Sequence, residues 1–466
     1  MLESTPRETT VGELRAAGHT RRTVKAELRE NLLARLRGGE PRFPGIVGFD
    51  ETVLPHLERA LLAGHDLVLL GERGQGKTRL IRTVVGLLDE WTPVVAGCEI
   101  NDHPYAPVCV RCRRLAAELD EDLPVEWRHR DERFGEKLAT PDTSVGDLIG
   151  DIDPIKVAEG RTLGDPETVH FGLVPRANRG IFSINELPDL AERIQVALLN
   201  VLEERDVQVR GYALRLPLDV LLIASANPED YTNRGRIITP LKDRFGAEIR
   251  THYPLTLDLE LELIKQEAEL DGMGAEVPDH LIEVIARFTR LVRESTAVDA
   301  RSGVSARFSI AGTETVAAGA LRRAALTGEE RPVARVCDLP PVVPALMGKV
   351  EFEVSEEGRE QEVLEHLLRR AVAETYRRRL GAADLSGLLD KFDAGESVES
   401  GELVPSAELL HRVGKVPGLA KIMERLDMGG DSPGQAAAAL EFVLEGLFLT
   451  RRLSKDDTGT TSTYRT

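Results

Sequence analysis

Residues 65–78 read HDLVLLGERGQGKT. An apolar run, Leu67 to Leu70, leads directly into Gly71, then Glu72, Arg73, Gly74 and Gln75, then Gly76, Lys77 and Thr78. Glycines at this spacing let the backbone curl so that its N–H groups surround phosphate oxygens. Lys77 supplies a positive charge to the terminal phosphates, and the Thr78 hydroxyl is of the type that ligates magnesium. A helix beginning at Thr78 would aim its positive end at the same place. Strand, loop and helix follow in the order this chemistry requires, so binding of Mg-ATP is the expectation.

Hydrolysis needs a carboxylate to orient water and a group to organise the magnesium. Residues 181–190, IFSINELPDL, end an apolar run on Asn185-Glu186. Glu186 stands where it could aim the water. Asn185 stands in the magnesium position without a charge, which predicts slow turnover and retained nucleotide binding. The alternative is an ordinary polar strand end.

A second cluster lies at 98–112, CEINDHPYAPVCVRC. Cys109 and Cys112 have the spacing to grip one zinc ion. Cys98 returns from a nearby turn, and His103 or Asp102 could complete a tetrahedral set. Three free thiols or a redox pair are the alternatives. Cys337 is expected in a core.

The elements that must position these residues alternate from about 52 to 255. Strands are expected at 67–70, 92–96, 180–184 and 220–224, with helices at 78–88 and 190–205. Continuous Val/Leu/Ile strands separated by helices indicate a parallel sheet covered on both faces. After Pro254 helical periodicity takes over. Residues 1–40 are expected as a helical N-terminal segment, 41–255 as the core with a Cys-rich insertion at 98–112, 256–345 as a helical lid, and 346–450 as a helical C-terminal domain. The stretch 381–405 reads as a flexible connection, and 451–466 as a disordered tail.

Composition narrows the function classes. The chain has 466 residues, with 60 Lys plus Arg against 78 Asp plus Glu, a net charge of −18. That charge disfavours general nucleic-acid binding, and an aromatic content of 4% disfavours a base-stacking platform. No apolar stretch approaches a membrane span, the N-terminus lacks a secretion signal, and four cysteines do not make a disulfide framework. A cytoplasmic location is expected.

GERGQGKT, FSINELPDL, SANPEDY and PLKDRFGAEI occur in that order. Together they resemble the AAA+ ATPases of the MoxR and magnesium-chelatase I-subunit branch, over about residues 42–345. The resemblance implies an α/β P-loop NTPase core with a parallel sheet between helices, followed by an all-helical lid and a helical C-terminal extension. It implies that Asn227 is the polar sensor of the γ-phosphate. It implies that Arg244 is an arginine finger offered to a neighbouring subunit, and Arg307 a second sensor. Ile46-Val47-Gly48 would lie near the adenine. A plain ion pair of Arg244 with Asp243 or Glu248 is the alternative. The family usually carries Asp at the position of Asn185, although a subset carries NELPDL.

A finger acting across subunits implies a homo-oligomeric ring, expected to be a hexamer. The family further implies ATP hydrolysis coupled to remodelling of a protein partner, often one with a von Willebrand A domain. A sigma-54-type transcription activator is the competing reading, but its GAFTGA loop sequence does not occur here. A weakly hydrolysing nucleotide-dependent clamp is the third.

Overall fold

The computed structural model describes residues 5–466 except 153–157, 159–167, 205–215, 229–235, 300–302, 415, 417, 430, 431 and 460. The chain divides into two compact units, Met1–His252 and Tyr253–Thr466. Part of SANPEDY lies outside the described residues.

In the first unit the strands are β1 (Leu67–Leu70), β2 (Trp91–Val95), β3 (Val125–His129), β4 (Phe134–Leu138), β5 (Gly150–Ile152), β6 (Val169–Phe171), β7 (Gly180–Asn185), β8 (Val220–Ala226) and β9 (Ala247–Arg250). Five of them form one sheet in the order β4-β7-β8-β1-β9, with every pairing parallel. Both faces are covered. Leu67, Leu69, Ile181, Leu221, Ile223 and Ile249 pack in one apolar cluster, and their alternating neighbours Val68, Leu70, Phe182, Ile184, Leu222 and Ala224 in another. The period-2 side-chain alternation thus feeds two cores, which explains why the strands read as continuous apolar runs.

Two expectations change here. β2 does not join the sheet; it pairs antiparallel with β3 in a separate ribbon. Pro93 lacks the N–H that an interior strand must donate. The sheet edge is taken instead by β4, FGEKL, whose Gly, Glu and Lys hide it from a search for apolar runs. The N-terminal segment is helical but is not a separate body. In the helix Val24–Gly38, Val24, Leu28 and Leu32 join the same cluster as Leu67 and Ile223. Buried Glu27 holds buried Arg133 by two hydrogen bonds of 2.8 and 2.7 Å. The fork geometry satisfies both charges, as burial demands.

The second unit is mainly helical. Its longest helices are Leu257–Glu267, Asp279–Glu294, Ala306–Thr327, Glu360–Leu380 and Pro433–Leu449. A single apolar cluster runs from Ala275 to Tyr464, so the expected division at 345/346 does not separate two cores. The expected flexible stretch contains the helix Ser386–Asp393 and strand β10 (Val398–Gly401). The expected disordered tail forms β11 (Ser454–Asp457) and β12 (Thr461–Arg465), in the antiparallel order β10-β12-β11. Its polar composition concealed one anchor. Tyr464 is buried and donates to Glu445 Oε2 at 2.6 Å, which also accepts from Lys455 Nζ at 3.0 Å.

Among the described residues no helix is long and apolar enough to cross a membrane.

Candidate functional site

The phosphate-type loop leaves the C-terminal end of β1, between the ends of β8 and β9. Gly71 N–H donates to Ala226 O at 3.1 Å, and Thr251 N–H donates to Leu70 O at 2.8 Å. A Cβ on Gly71 would stand 1.9 Å from Thr251 Oγ1 and 2.3 Å from Gln75 Oε1, so no side chain fits. Gly74 and Gly76 have φ of 71° and 75°, the left-handed region that favours glycine. The helix Lys77–Val84 follows, with Thr78 half-buried in its first turn. Gln75 Oε1 braces the loop, accepting from Glu72 N–H at 3.1 Å and Thr251 Oγ1 at 2.8 Å. Glu72 is half-buried and Arg73 exposed, as befits loop positions that contribute backbone.

Lys77 is buried. Its ammonium donates to Gly71 O, to Glu72 O at 2.9 Å and to Asn227 Oδ1 at 2.8 Å. Asn227 follows the end of β8, and its Nδ2 donates to Glu186 Oε2 at 2.8 Å. Lys77, Asn227 and Glu186, far apart in sequence, therefore form one hydrogen-bonded chain beside the loop. Glu186 has φ of 56°, uncommon for a residue with a side chain. Its N–H donates to Ser225 Oγ at 3.3 Å, and its carbonyl accepts from Asp189 N–H at 2.9 Å. A cost of roughly 1–3 kcal/mol is held by these bonds, a pattern that clusters at functional sites.

Asn185 has a neighbour that the motifs did not reveal. Its Nδ2 donates to Glu136 Oε1 at 2.6 Å, and its Oδ1 accepts from Ser225 Oγ at 3.2 Å. Glu136 lies on β4, directly across from Ser183. Its other oxygen accepts from Arg82 at 2.9 and 3.1 Å. Arg82 follows Thr78 by four residues, on the same face of the loop's helix. A carboxylate thus sits one hydrogen bond from the amide where a charge was expected. The only sequence signal for it was a Glu in a polar pentapeptide.

Two other expected residues are exposed. Arg244 ends the helix Thr239–Arg244 at the surface, 3.4 Å from Asp243 Oδ2. Arg307 is exposed in the first turn of Ala306–Thr327, in the second unit.

The cysteine cluster forms a second candidate site. Cys98 Sγ, Cys109 Sγ, Cys112 Sγ and a carboxylate oxygen of Asp102 all lie within 4.8 Å of one another, and all four residues are buried. Hydrogen bonds from the Cys109 and Cys112 thiols hold Cys98 far below the usual thiol range, at about 3. Burial, with the Cys98 charge second, raises Asp102. His103 is outside the group. It stacks on His19 at 5.8 Å and packs against Tyr105, and burial pushes it down to about 2. Cys337 lies elsewhere, half-buried in the second unit.

A parallel sheet with a phosphate-type loop after an inner strand, a Lys-Asn-Glu chain beside it and helices on both faces defines a P-loop α/β core of the AAA+ type. Residues 160–244 match the family model described as Sigma-54 interaction domain. The chain is 29% identical over 240 residues to the magnesium-chelatase subunit ChlI of Nostoc sp., covering 49% of this chain and 59% of that protein. It is 32% identical over 241 residues to the magnesium-chelatase 38 kDa subunit of Acidiphilium rubrum, covering 48% and 62%. The chain therefore spans about three fifths of the length of the curated relatives it matches. A cryo-EM-based structure of the magnesium-chelatase BchI–BchD complex shares 22% identity, covering 69% of this chain and 98% of that one, at a TM-score of 0.36. NtrX from Brucella abortus shares 15%, covering 86% and 71%, at 0.39. Over about half of its length the chain is similar to magnesium-chelatase I subunits.

Proposed function

We propose that this protein binds and hydrolyses Mg-ATP at the loop Gly71–Thr78. The observation that carries the reading is the chain Lys77–Asn227–Glu186, which joins the loop's lysine to a carboxylate on the neighbouring strand end. Gly71 leaves room only for backbone, and Gly74 and Gly76 take up the left-handed φ that favours glycine, which suits the close approach of phosphate oxygens. Lys77 exchanges its carbonyl partners for phosphate oxygens. Asn227, freed from Lys77, orients toward the terminal phosphate, and Glu186 accepts the proton of the attacking water. Bound magnesium supplies charge neutralisation on the phosphates, with Thr78 as its protein ligand. Glu136, through Asn185, restores to this end of the sheet the negative charge that Asn185 lacks.

Arg244, at the surface, serves the site of an adjacent subunit, and Arg307 reports nucleotide state to the helical unit. The role of Arg244 calls for a closed ring, a hexamer in this reading, and the few cysteines suit the reducing cytoplasm. The ring remodels a protein partner, in the manner of MoxR-type chaperones, with a von Willebrand A domain protein as the favoured class. The match to the Sigma-54 interaction domain gives one observation in favour of a transcription activator. The missing GAFTGA sequence weighs against it. Phosphate release decides the main reading. Wild type should turn over ATP, and Glu186→Gln should bind it without turnover. Absence of turnover in wild type, at any protein concentration, would leave only the clamp.

A further inference from the structure

We propose that Cys98, Asp102, Cys109 and Cys112 form a closed structural zinc site. Four ligand atoms on buried residues lie within 4.8 Å of one another. Around a tetrahedral ion with bonds of about 2.3 Å to sulfur, ligand atoms stand roughly 3.8 Å apart, so small side-chain adjustments close the set.

The second observation concerns Asp102, whose residue is 0% exposed. One oxygen, Oδ2, accepts from Cys109 N–H at 2.9 Å. The other, Oδ1, is buried and has no hydrogen-bond partner among the described residues. An unpaired buried carboxylate oxygen is costly, and a carboxylate that reaches a group of thiols with one oxygen still unpaired is suited to be a fourth metal ligand.

The surroundings are arranged as an outer shell. Asp102 N–H donates to Cys98 Sγ and Cys112 N–H donates to Cys109 Sγ, both at 3.3 Å. Arg111 Nη1 lies 3.9 Å from Cys112 Sγ. Cys109 is the N-cap of the ten-residue helix Val110–Leu119 and Cys112 lies in its first turn, so the helix's positive end faces the thiolates. Backbone N–H donors and a guanidinium offset the negative charge that three thiolates and a carboxylate carry in excess of one divalent cation.

The four residues come from two pieces of chain. Cys98 and Asp102 follow β2, where Cys98 N–H donates to Val95 O at 3.0 Å and Val95 N–H to Asp102 O at 2.9 Å. Cys109 and Cys112 open the helix. A shared ion fastens that helix to the ribbon that left the main sheet. All four coordination positions are filled by protein, so the ion is structural and takes no substrate. Metal binding displaces the thiol protons to solvent, with no change of oxidation state.

The test uses the full chain, purified without added metal. Elemental analysis should find one zinc per chain. Titration with a mercurial thiol reagent should release that zinc as the cluster thiols react. Asp102→Asn should keep the fold by circular dichroism and lose zinc to a chelator at least tenfold faster. Metal-free protein that is folded, iron in place of zinc, or an intact mass about 2 Da low from a disulfide would each overturn the assignment. The wild-type metal content decides it even if every variant fails to fold. Nucleotide turnover does not enter the result, so the zinc and ATPase readings stand or fall separately.

Discussion

The phosphate-type loop and the cysteine cluster both lie in the first unit, and both gather charged groups at low exposure. They handle them differently. At the loop the principal polar groups already have partners: Lys77 has three acceptors, Asn227 spans Lys77 and Glu186, and Asn185 spans Ser225 and Glu136. At the cysteines one carboxylate oxygen has none among the described residues. A site that internally satisfies its groups can exist empty and exchange its ligand. A site with an orphaned buried charge is complete only with the ligand in place. One arrangement suits a turnover site, the other a permanent ion.

The largest effect that could break this contrast is at Glu186. Glu186→Gln keeps the hydrogen-bonding shape and removes the base, so phosphate release should fall by roughly a hundredfold or more with nucleotide affinity retained. Next is Glu136. Glu136→Gln should lower turnover about tenfold and raise the magnesium concentration needed, both read in the same assay. Asn185→Asp alone should not accelerate turnover, because two carboxylates would then meet at hydrogen-bond distance and resist ionising together. Asn185→Asp combined with Glu136→Gln should recover most of the loss. Failure of that exchange would remove Glu136 from the site.

A smaller effect separates the cluster from the loop. Stripping metal with a chelator should lower the melting temperature by at least about 5 °C. ATP should raise it without restoring the metal-dependent part.

The smallest effect sharpens what an orphaned group means. His280 is also buried, and neither ring nitrogen has a partner among the described residues. Its ring lies 4.6 Å from that of Phe442. Burial, assisted by the charge of Arg379, pushes it down to about 3 from 6.5. Between those values the unfolded chain binds a proton that the folded chain does not. Stability therefore falls as pH drops through that window, by about 2 kcal/mol between neutrality and pH 5. His280→Phe should remove that acid sensitivity, measured by denaturant unfolding at the two pH values.

What could be read from the residues alone follows from how locally each feature is encoded. Gly71 to Thr78 is a contiguous motif between an apolar run and a helix, and Asn185-Glu186 ends another apolar run. Glu136 was hidden because an edge strand needs few apolar residues, and its hydrogen bond to Asn185 depends on register between β4 and β7. Pro93 was a legible signal against β2 entering the sheet, outweighed by the valines around it. The three clustered cysteines were plain, but spacing could not choose between Asp102 and His103. That choice depends on His103 turning toward His19, a residue 84 positions upstream. The ordered tail depended on Tyr464 finding Glu445, a contact that polar composition does not announce.

The loop Gly71–Thr78 is proposed to grip a triphosphate through Lys77. Isothermal titration of Mg-ATP into folded wild type and into Lys77→Ala tests it most directly. Wild type should bind saturably, near one nucleotide per chain, and the variant should not bind. No binding to folded wild type, or equal binding to both, would contradict it.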